Sequence, residues 1–205
     1  MSANVFIIDD DEAVRDALAL LCDSAGFIVE TFDSAQAFLD VCGQYTEGCL
    51  VLDLNMPDMS GIELQENLVG RGVALPIIFL SAYGDVPTTA RAMKAGAMDF
   101  LTKPVAGGVL LTHIREALSL SARLRVQSET QRSILENVAK LTEREKEVLV
   151  RVATGASNKE IAQDMGISYR TVEIHRANAM HKVGAANLLE LARIVEVAKL
   201  HSRTP

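Results

Sequence analysis

Five short apolar runs recur through the first 120 residues, each followed by a longer stretch with helical periodicity, and this alternation leaves few folds open. The runs are Val5–Ile8, Phe27–Phe32, Cys49–Leu52, Ile77–Leu80 and Met98–Thr102. After the first, Val14, Leu18, Leu21 and Cys22 recur at three and four residues. Ala37, Phe38 and Val41 follow the second run, and Ile62, Leu64 and Leu68 the third; Val86–Lys94 and Val109–Leu124 complete the helical set. Gly26 and Gly96 close helices, Ser34 stands at an N-cap position, and Met56-Pro57-Asp58-Met59-Ser60-Gly61 is turn chemistry. Uninterrupted apolar strands need cover on both faces, and strands separated by helices need crossovers. The pattern predicts an α/β fold, a doubly wound five-stranded parallel sheet.

After residue 120 the pattern changes. Residues 121–140 interleave Ser, Gln, Glu and Arg with only a few apolar side chains, Leu124, Val126, Ile134, Leu135 and Val138 among them, which suits either an extended helix or a linker. Thr142, with Glu145 three residues on, has the capping-box signature. Beyond it every segment is short helix: Glu143–Thr154, Asn158–Met165, Tyr169–Val183 and Leu188–Leu200, separated by Gly155, Gly166 and Gly184-Ala185. The chain is therefore expected to form two domains, 1–120 and 141–205, the second all-α with four helices, joined by a partly helical linker at 121–140. Charge divides at the same place. Residues 1–125 carry net -9 and residues 141–205 net +2, within a chain total of -7. A basic end on an acidic body is compatible with DNA, but +2 is too small to hold a duplex by counter-ion release alone, so geometry or dimerisation must supply affinity. Cys22, Cys42 and Cys49 show no metal spacing and read as reduced core or near-core thiols. No secretory segment precedes Val5 and no apolar run approaches the roughly 18 residues of a membrane span, so a cytoplasmic location without a membrane partner is expected.

Four of the five apolar runs end in chemistry. Asp9-Asp10-Asp11 follow the first, Asp53 the third, Ser81 the fourth and Lys103 the fifth. In an open parallel sheet these positions share the carboxyl edge, where such folds place ligands. Clustered carboxylates raise one another's pKa unless a cation joins them, and hard oxygen donors select Mg2+, with Mn2+ the other divalent ion they suit. Asp53 beside a metal is a candidate nucleophile for phosphoryl transfer. That reaction spreads charge over three equatorial oxygens, part of which Lys103 can neutralise while Ser81 donates a hydroxyl. Each residue alone has a plainer role. Asp11 and Glu12 suit a helix N-terminus, Asp53 a turn, Ser81 a helix cap, and Lys103 a solvated surface. Their convergence at one edge is what favours chemistry.

Asn55 decides which chemistry. A phosphatase of the haloacid dehalogenase class places a second aspartate two residues after its nucleophile as general acid, and an amide cannot shuttle a proton. Acceptance of a phosphoryl group, without a dedicated enzymatic activity, is the expectation. Taken together, IIDDDEAVR at 7–15, VLDLNMPDMSG at 51–61, LSA at 80–82 and DFLTKP at 99–104 closely resemble the receiver domain of bacterial response regulators, which has a flavodoxin-like fold. The resemblance implies that Asp53 is the phosphoacceptor, charged from a phosphohistidine on a sensor histidine kinase. It implies Asp10 as a direct Mg2+ ligand, Asp9 as one acting partly through water, Asp53 as a ligand through its carboxylate and Asn55 through its backbone carbonyl. Lys103 resembles the phosphoryl-stabilising cation. Ser81 and Phe100 resemble the switch pair, a hydroxyl drawn to the phosphoryl group and a ring that turns inward behind it. In such domains the surface that moves is formed by the fourth helix, fifth strand and fifth helix, here about 85–95, 98–102 and 107–119, and phosphorylation is expected to favour a homodimer through it.

In the second domain Ala162 falls at a helix crossing, Gly166 at the turn and Val172 in the core of the next helix, the spacing of a helix-turn-helix. Val172, His175, Ala179 and Val183 share one face of Tyr169–Val183 and are expected inside, His175 as a buried, hydrogen-bonded imidazole. Glu173, Ile174 and Ala177 then face outward, flanked by Arg170, Arg176 and Lys182. In a major groove the first three would reach base edges, Glu173 accepting from cytosine N4 and Ile174 touching a thymine methyl, while the basic residues contact phosphates. LTEREKEVL at 141–149 and SNKEIAQDMGISYRTVEIHRANAMHKVGAAN at 157–187 resemble the LuxR-type (NarL/FixJ) effector domain. RAMKAGAMDFLTKP and TVEIHRANAMHK, with the domain order, look most like the FixJ subgroup. The resemblance adds Lys159 and Thr171 as DNA-backbone contacts, makes the last helix a dimer surface, and implies double-stranded DNA and RNA polymerase as partners. Glu173 stands where many relatives carry a basic residue, so base preference does not carry over. The expected function is a phosphorylation-activated, DNA-binding transcriptional regulator whose unphosphorylated receiver can inhibit its effector domain. The alternative is a receiver-containing signalling adaptor or phosphate reservoir without productive DNA binding.

Overall fold

Along each central strand successive side chains point to opposite faces, and this period of two splits the core of the first half into two layers. Phe6, Ile8, Leu50, Leu52, Ile77 and Phe79 lie on one face, and Val5, Ile7, Cys49, Val51, Ile78 and Leu80 on the other. The computed structural model describes residues 4–43, 46–82 and 86–200; residue 85 of the expected moving surface and the last five residues of the expected second domain lie outside it. The described residues fall into two compact units that divide between Val126 and Gln127.

The first unit holds strands β1 (Asn4–Ile8), β2 (Ile28–Phe32), β3 (Gly48–Asp53), β4 (Ile77–Ser81) and β5 (Asp99–Thr102). All pairings are parallel, in the order β2-β1-β3-β4-β5. Helices α2 (Ala35–Val41), α3 (Gly61–Gly70) and α4 (Val86–Lys94) cover the first face through Phe38, Leu64, Leu68 and Ala92; α1 (Glu12–Ser24) and α5 (Gly107–Ala139) cover the second through Leu18, Cys22, Leu110, Ile114 and Ala117. The expected cover on both faces holds for β1, β3 and β4. The edge strands β2 and β5 are only part-buried, each having a single strand neighbour. Register sets the site: Ile8 pairs with Leu52, Asp53 with Leu80 and Ser81 with Thr102, so the residues just beyond β1, β3, β4 and β5 meet at one edge.

Local chemistry fixes the turns at that edge. Asp11 is the N-cap of α1, accepting from the Ala13 and Val14 N–H groups, and Ser34 caps α2. Ser60 and Glu63 form a capping box at α3, a pattern within reach of the same rule that identifies Thr142 and Glu145. Immediately after Ser60, Gly61 brings α3 hard against the sheet: a Cβ there would lie 2.5 Å from the Asp53 carbonyl oxygen and 2.9 Å from the Phe79 ring.

Residues 107–139 form one helix, so the polar stretch after residue 120 continues α5. Ser121 is buried and its Oγ accepts from the Gly48 N–H at 3.2 Å, while Arg125 pairs with Glu47 at 2.7 Å. The second unit contains α6 (Glu143–Ala153), α7 (Asn158–Met165), α8 (Tyr169–Val183) and α9 (Leu188–Val197). Val138, Val148, Leu149, Ile161, Val172, Ala179 and Leu191 form its core. Capping boxes at Thr142 and Ser157 start α6 and α7, and Gly166 ends α7 at φ 64°. Among the described residues no helix is long and apolar enough to cross a membrane.

The two glycines separate two costs. Gly61→Ala is expected to destabilise the first unit by about 1–3 kcal/mol through overpacking against backbone, and Gly166→Ala the second by about 1 kcal/mol through its left-handed φ alone, since open space surrounds it. Urea unfolding followed by hydrogen exchange in β3 and α8 resolves the two units. Full tolerance of Gly61→Ala in β3 would contradict the packing argument.

Candidate functional site

Asp9 leaves β1 with every polar group engaged. Its N–H donates to the Phe32 carbonyl at 3.3 Å, its Oδ1 accepts from the Asp11 N–H at 3.0 Å, and its carbonyl accepts from Arg15 Nη1 at 2.7 Å. Its Oδ2 faces Lys103 Nζ at 2.6 Å. The same ammonium donates to Asp53 Oδ1 at 2.5 Å, and Asp53 Oδ2 accepts from the Asn55 N–H at 2.7 Å. Lys103 is set at that height by its own N–H, which donates to the Ser81 carbonyl at 2.8 Å. Asp9 and Asp53 are 2% and 7% exposed, and Ser81 is fully buried. One cation thus faces two buried anions.

Burial is the largest influence on Asp53 and pushes its carboxyl above the ordinary range, against the opposing pull of Lys103. For Lys103 desolvation acts to lower the pKa, but the hydrogen bonds to Asp53 and Asp9 outweigh it and hold the ammonium above its usual value. One ammonium for two carboxylates leaves the pocket one positive charge short when both are ionised. Its donors are all oxygen, which suits a hard divalent cation. Asp10 is exposed and its carboxylate makes no hydrogen bond among the described residues; Asn55 is exposed as well, and its carbonyl accepts none. These are the free oxygens at the mouth of the pocket.

Two of the carboxylates expected at this edge, Asp9 and Asp53, meet on Lys103, and Asp10, in the turn past the end of β1, is exposed. Among the described residues no group of three or more His, Cys, Asp or Glu side chains is gathered together. Phe100 is part-buried at the edge of the core, its ring 6.2 Å from that of Phe79.

In the second unit, Ile174 and Ala177 are exposed on α8, and Glu173 lies 3.7 Å from Arg170. Lys159 is exposed at the start of α7, and the Thr171 hydroxyl is shared with Ser168 at 2.8 Å. Val172, Ala179 and Val183 are buried as expected. His175 is only part-buried, and its ring makes no hydrogen bond among the described residues; at three residues from Val172 it sits on the shoulder of the inward face. Two basic residues are engaged inside the unit. Arg176 Nη1 donates to Asn158 Oδ1 at 2.9 Å, and Lys182 Nζ donates to both oxygens of Glu145 at 2.7 and 2.8 Å. Lys182, expected at DNA phosphates, pairs in this structure with a carboxylate that is 4% exposed. Glu145 precedes Val148 and Leu149 by three and four residues, so its own position on the apolar face was the signal that a buried cation must meet it.

A doubly wound sheet with an Asp9–Lys103–Asp53 edge, followed by a helix-turn-helix unit, defines a receiver joined to a DNA-binding domain. Residues 5–115 match the response regulator receiver domain, and residues 139–195 match bacterial regulatory proteins of the luxR family. The transcriptional regulatory protein TdiR of Thauera aromatica is 43% identical over 98% of this chain and 88% of its own length. The transcriptional regulatory protein FixJ of Azorhizobium caulinodans is 43% identical over 96% and 93%. Among solved structures, the response regulator StyR shares a TM-score of 0.84 and 46% identity, covering 96% of this chain and 99% of that one. Full-length FixJ from B. japonicum shares a TM-score of 0.59 and 40% identity over 98% and 100%. The chain belongs to the response regulators of the NarL/FixJ type, with a receiver followed by a LuxR-type DNA-binding domain. Receiver domains generally bind Mg2+ for phosphorylation and imply a sensor-kinase partner; a LuxR-type domain implies DNA, and the pair suggests a regulator more than a dedicated enzyme.

The Glu145–Lys182 pair carries a stability prediction. Hydrogen bonding from Lys182, then from the Thr142 N–H, holds the Glu145 carboxyl below the ordinary range. A depressed folded pKa gives stabilisation that is complete above the unfolded value near 4.3 and is lost as pH falls through the folded value. Lys182→Met is expected to cost the second unit about 1–3 kcal/mol at pH 7, the range for a buried acceptor losing its partner. The loss is discounted from a fully buried pair because Lys182 is 35% exposed. Hydrogen exchange in α6 and α8 measures it. Equal protection in the variant and the parent at pH 7 would contradict the pairing.

Proposed function

We propose that the protein is a transcriptional regulator switched by transfer of a phosphoryl group from a sensor histidine kinase to Asp53. The observation that carries this reading is Lys103 Nζ bridging Asp53 and Asp9 in a buried pocket, beside an asparagine where a hydrolytic general acid would stand. A carboxylate oxygen of Asp53 forms the new P–O bond as the P–N bond of the donor breaks, and the donor imidazole leaves with the electron pair. Lys103 already sits against Asp53 Oδ1 and follows the charge onto the phosphoryl oxygens. Asp9, Asp10, Asp53 and the Asn55 carbonyl are the oxygens that would hold Mg2+, which when bound would supply the remaining neutralisation of developing charge. The buried Ser81 closes β4 directly beside this point and is suited to donate its hydroxyl to the new group.

Phe100 and Ser81 lie on the paired strands β5 and β4, so a shift at one is felt at the other. A ring at the core edge with a second packing available is a bistable element of the kind that turns a local charge change into a surface rearrangement. On this reading, that rearrangement favours a homodimer through the surface of α4, β5 and α5, and two α8 helices then address double-stranded DNA and bring RNA polymerase to it. Glu173, Ile174 and Ala177 face the bases, and Lys159, Arg170, Thr171 and Arg176 the backbone. Lys182 is the weakest member of the expected DNA set, since its charge is met by Glu145. The cytoplasm is where such a chain finds both its kinase and its promoters.

Incubation of the full chain with Mg2+ and acetyl phosphate, followed by intact mass, sedimentation and DNA binding, tests the proposal. A single phosphoryl adduct, a shift towards dimer and at least about tenfold tighter DNA binding, or about 1.4 kcal/mol, are expected. Asp53→Asn is expected to abolish all three. An adduct that survives Asp53→Asn at full yield would place the acceptor elsewhere.

A further inference from the structure

The turn that carries Asp9, Asp10 and Asp11 leaves the sheet with little to hold it. The last ladder bond, from the Asp9 N–H to the Phe32 carbonyl, is long at 3.3 Å, and α1 begins only at Glu12. Three successive carboxylates oppose close folding of such a turn. Two side-chain bonds counter this. One is internal, from the Asp11 N–H to Asp9 Oδ1. The other comes from the first turn of α1, where Arg15 Nη1 donates to the Asp9 carbonyl at 2.7 Å. The Arg15 backbone N–H bond to the Asp11 carbonyl, at 3.0 Å, is the ordinary helical bond, so it is the Asp9 end of the acidic turn that the Arg15 side chain holds. Its guanidinium is part-buried, and a charge-assisted bond of this length is stronger than a neutral one.

What Arg15 does not touch matters as much. Among the described residues its guanidinium meets a carbonyl and no carboxylate. An arginine paired directly with Asp9 or Asp10 would compete with a cation for their oxygens; an arginine on the peptide carbonyl steadies the turn without itself occupying a carboxylate. Both Asp9 Oδ1 and Oδ2 are held at defined positions by this arrangement, Oδ2 against Lys103. We infer that Arg15 is a positioning residue of the acceptor pocket, fixing the Asp9 peptide so that the acidic turn presents its oxygens to Mg2+ and to Asp53. This inference rests on the proposed reading of that pocket as a cation site.

The sign of the effect makes it testable. A positive charge near a cation site repels the cation, so if charge were Arg15's contribution, its removal would tighten Mg2+ binding. If position is its contribution, removal weakens binding, by about tenfold or more on the scale of groups that orient metal ligands from outside. Calorimetric titration of the full chain with MgCl2, for the parent, Arg15→Leu and Arg15→Lys, measures this directly. The expected result is at least about tenfold weaker Mg2+ binding by Arg15→Leu, with a melting temperature without Mg2+ close to that of the parent. Its phosphorylation rate from acetyl phosphate returns to near the parent's at saturating Mg2+, since Arg15 touches neither Asp53 nor the donor. Arg15→Lys keeps the charge without the planar fork and is expected to be weakened as well. If Arg15→Leu does not fold, Arg15→Lys carries the test alone. Unchanged or tighter Mg2+ binding by the folded variants overturns the inference. A parent chain that takes up no Mg2+ overturns the cation site itself, a failure separate from that of Arg15, and the inference falls with it.

Discussion

One ammonium group organises the first unit. Lys103 Nζ lies between Asp9 and Asp53, drawing together the ends of β1, β3 and β5, which the sheet brings side by side without specifying how their charges are met. Two carboxylates this buried would repel each other and resist ionisation, and only a cation between them makes the arrangement inexpensive. The balance is incomplete, one positive charge against two negative, and that residue of negative charge gives the pocket its chemistry. A fully neutral cluster would be a structural brace. A cluster one charge short is suited to a divalent ion, the kind of cation receiver domains generally bind.

The sheet was legible because its signals are short-range and redundant. Val5, Ile7 and Val51 against Phe6, Ile8 and Leu50 give the period of two, and glycines such as Gly26 and Gly96, both at positive φ, mark where helices stop. The polar edge followed from topology, since residues just past parallel strands must share one end. What the sequence does not carry is which of several like charges turns inward. Asp9 and Asp10 are adjacent and chemically identical, yet in the turn that follows β1 one is buried against Lys103 and the other is exposed. Arg15 was hidden for a related reason. It sits inside the quoted acidic motif, but its partner is a main-chain carbonyl, and main-chain acceptors leave no mark in a sequence.

The stretch after residue 120 was ambiguous because its periodicity is weak: few apolar residues over twenty positions do not define a face. Two contacts at its start settle it as helix locally, the buried Ser121 hydroxyl on the Gly48 N–H and Arg125 on Glu47. A serine within an amphipathic helix reads as surface until a strand end with an unpaired donor is found beside it. In the second unit helical angle gives a face to Lys182 and His175, and angle does not reveal that Lys182 meets the buried Glu145 of another helix or that His175 is only part-buried.

The small charge of the second domain bears on how DNA affinity arises. Residues 141–205 carry net +2, and two of their basic side chains, Lys182 and Arg170, lie beside Glu145 and Glu173, so the positive charge of one copy is small. Sequence-independent attraction scales with the number of phosphates neutralised, so a single copy of this domain has little of it to draw on. Two copies double the count and, more importantly, make the second contact intramolecular once the first has formed. A weakly charged effector domain is therefore well matched to control by dimerisation. The acidic body, net -9 over residues 1–125, acts in the same direction by repelling DNA from an isolated copy. On the proposed reading, low intrinsic affinity is what would allow a single phosphoryl group on Asp53 to decide occupancy, because an effector that bound tightly alone would leave the receiver nothing to regulate.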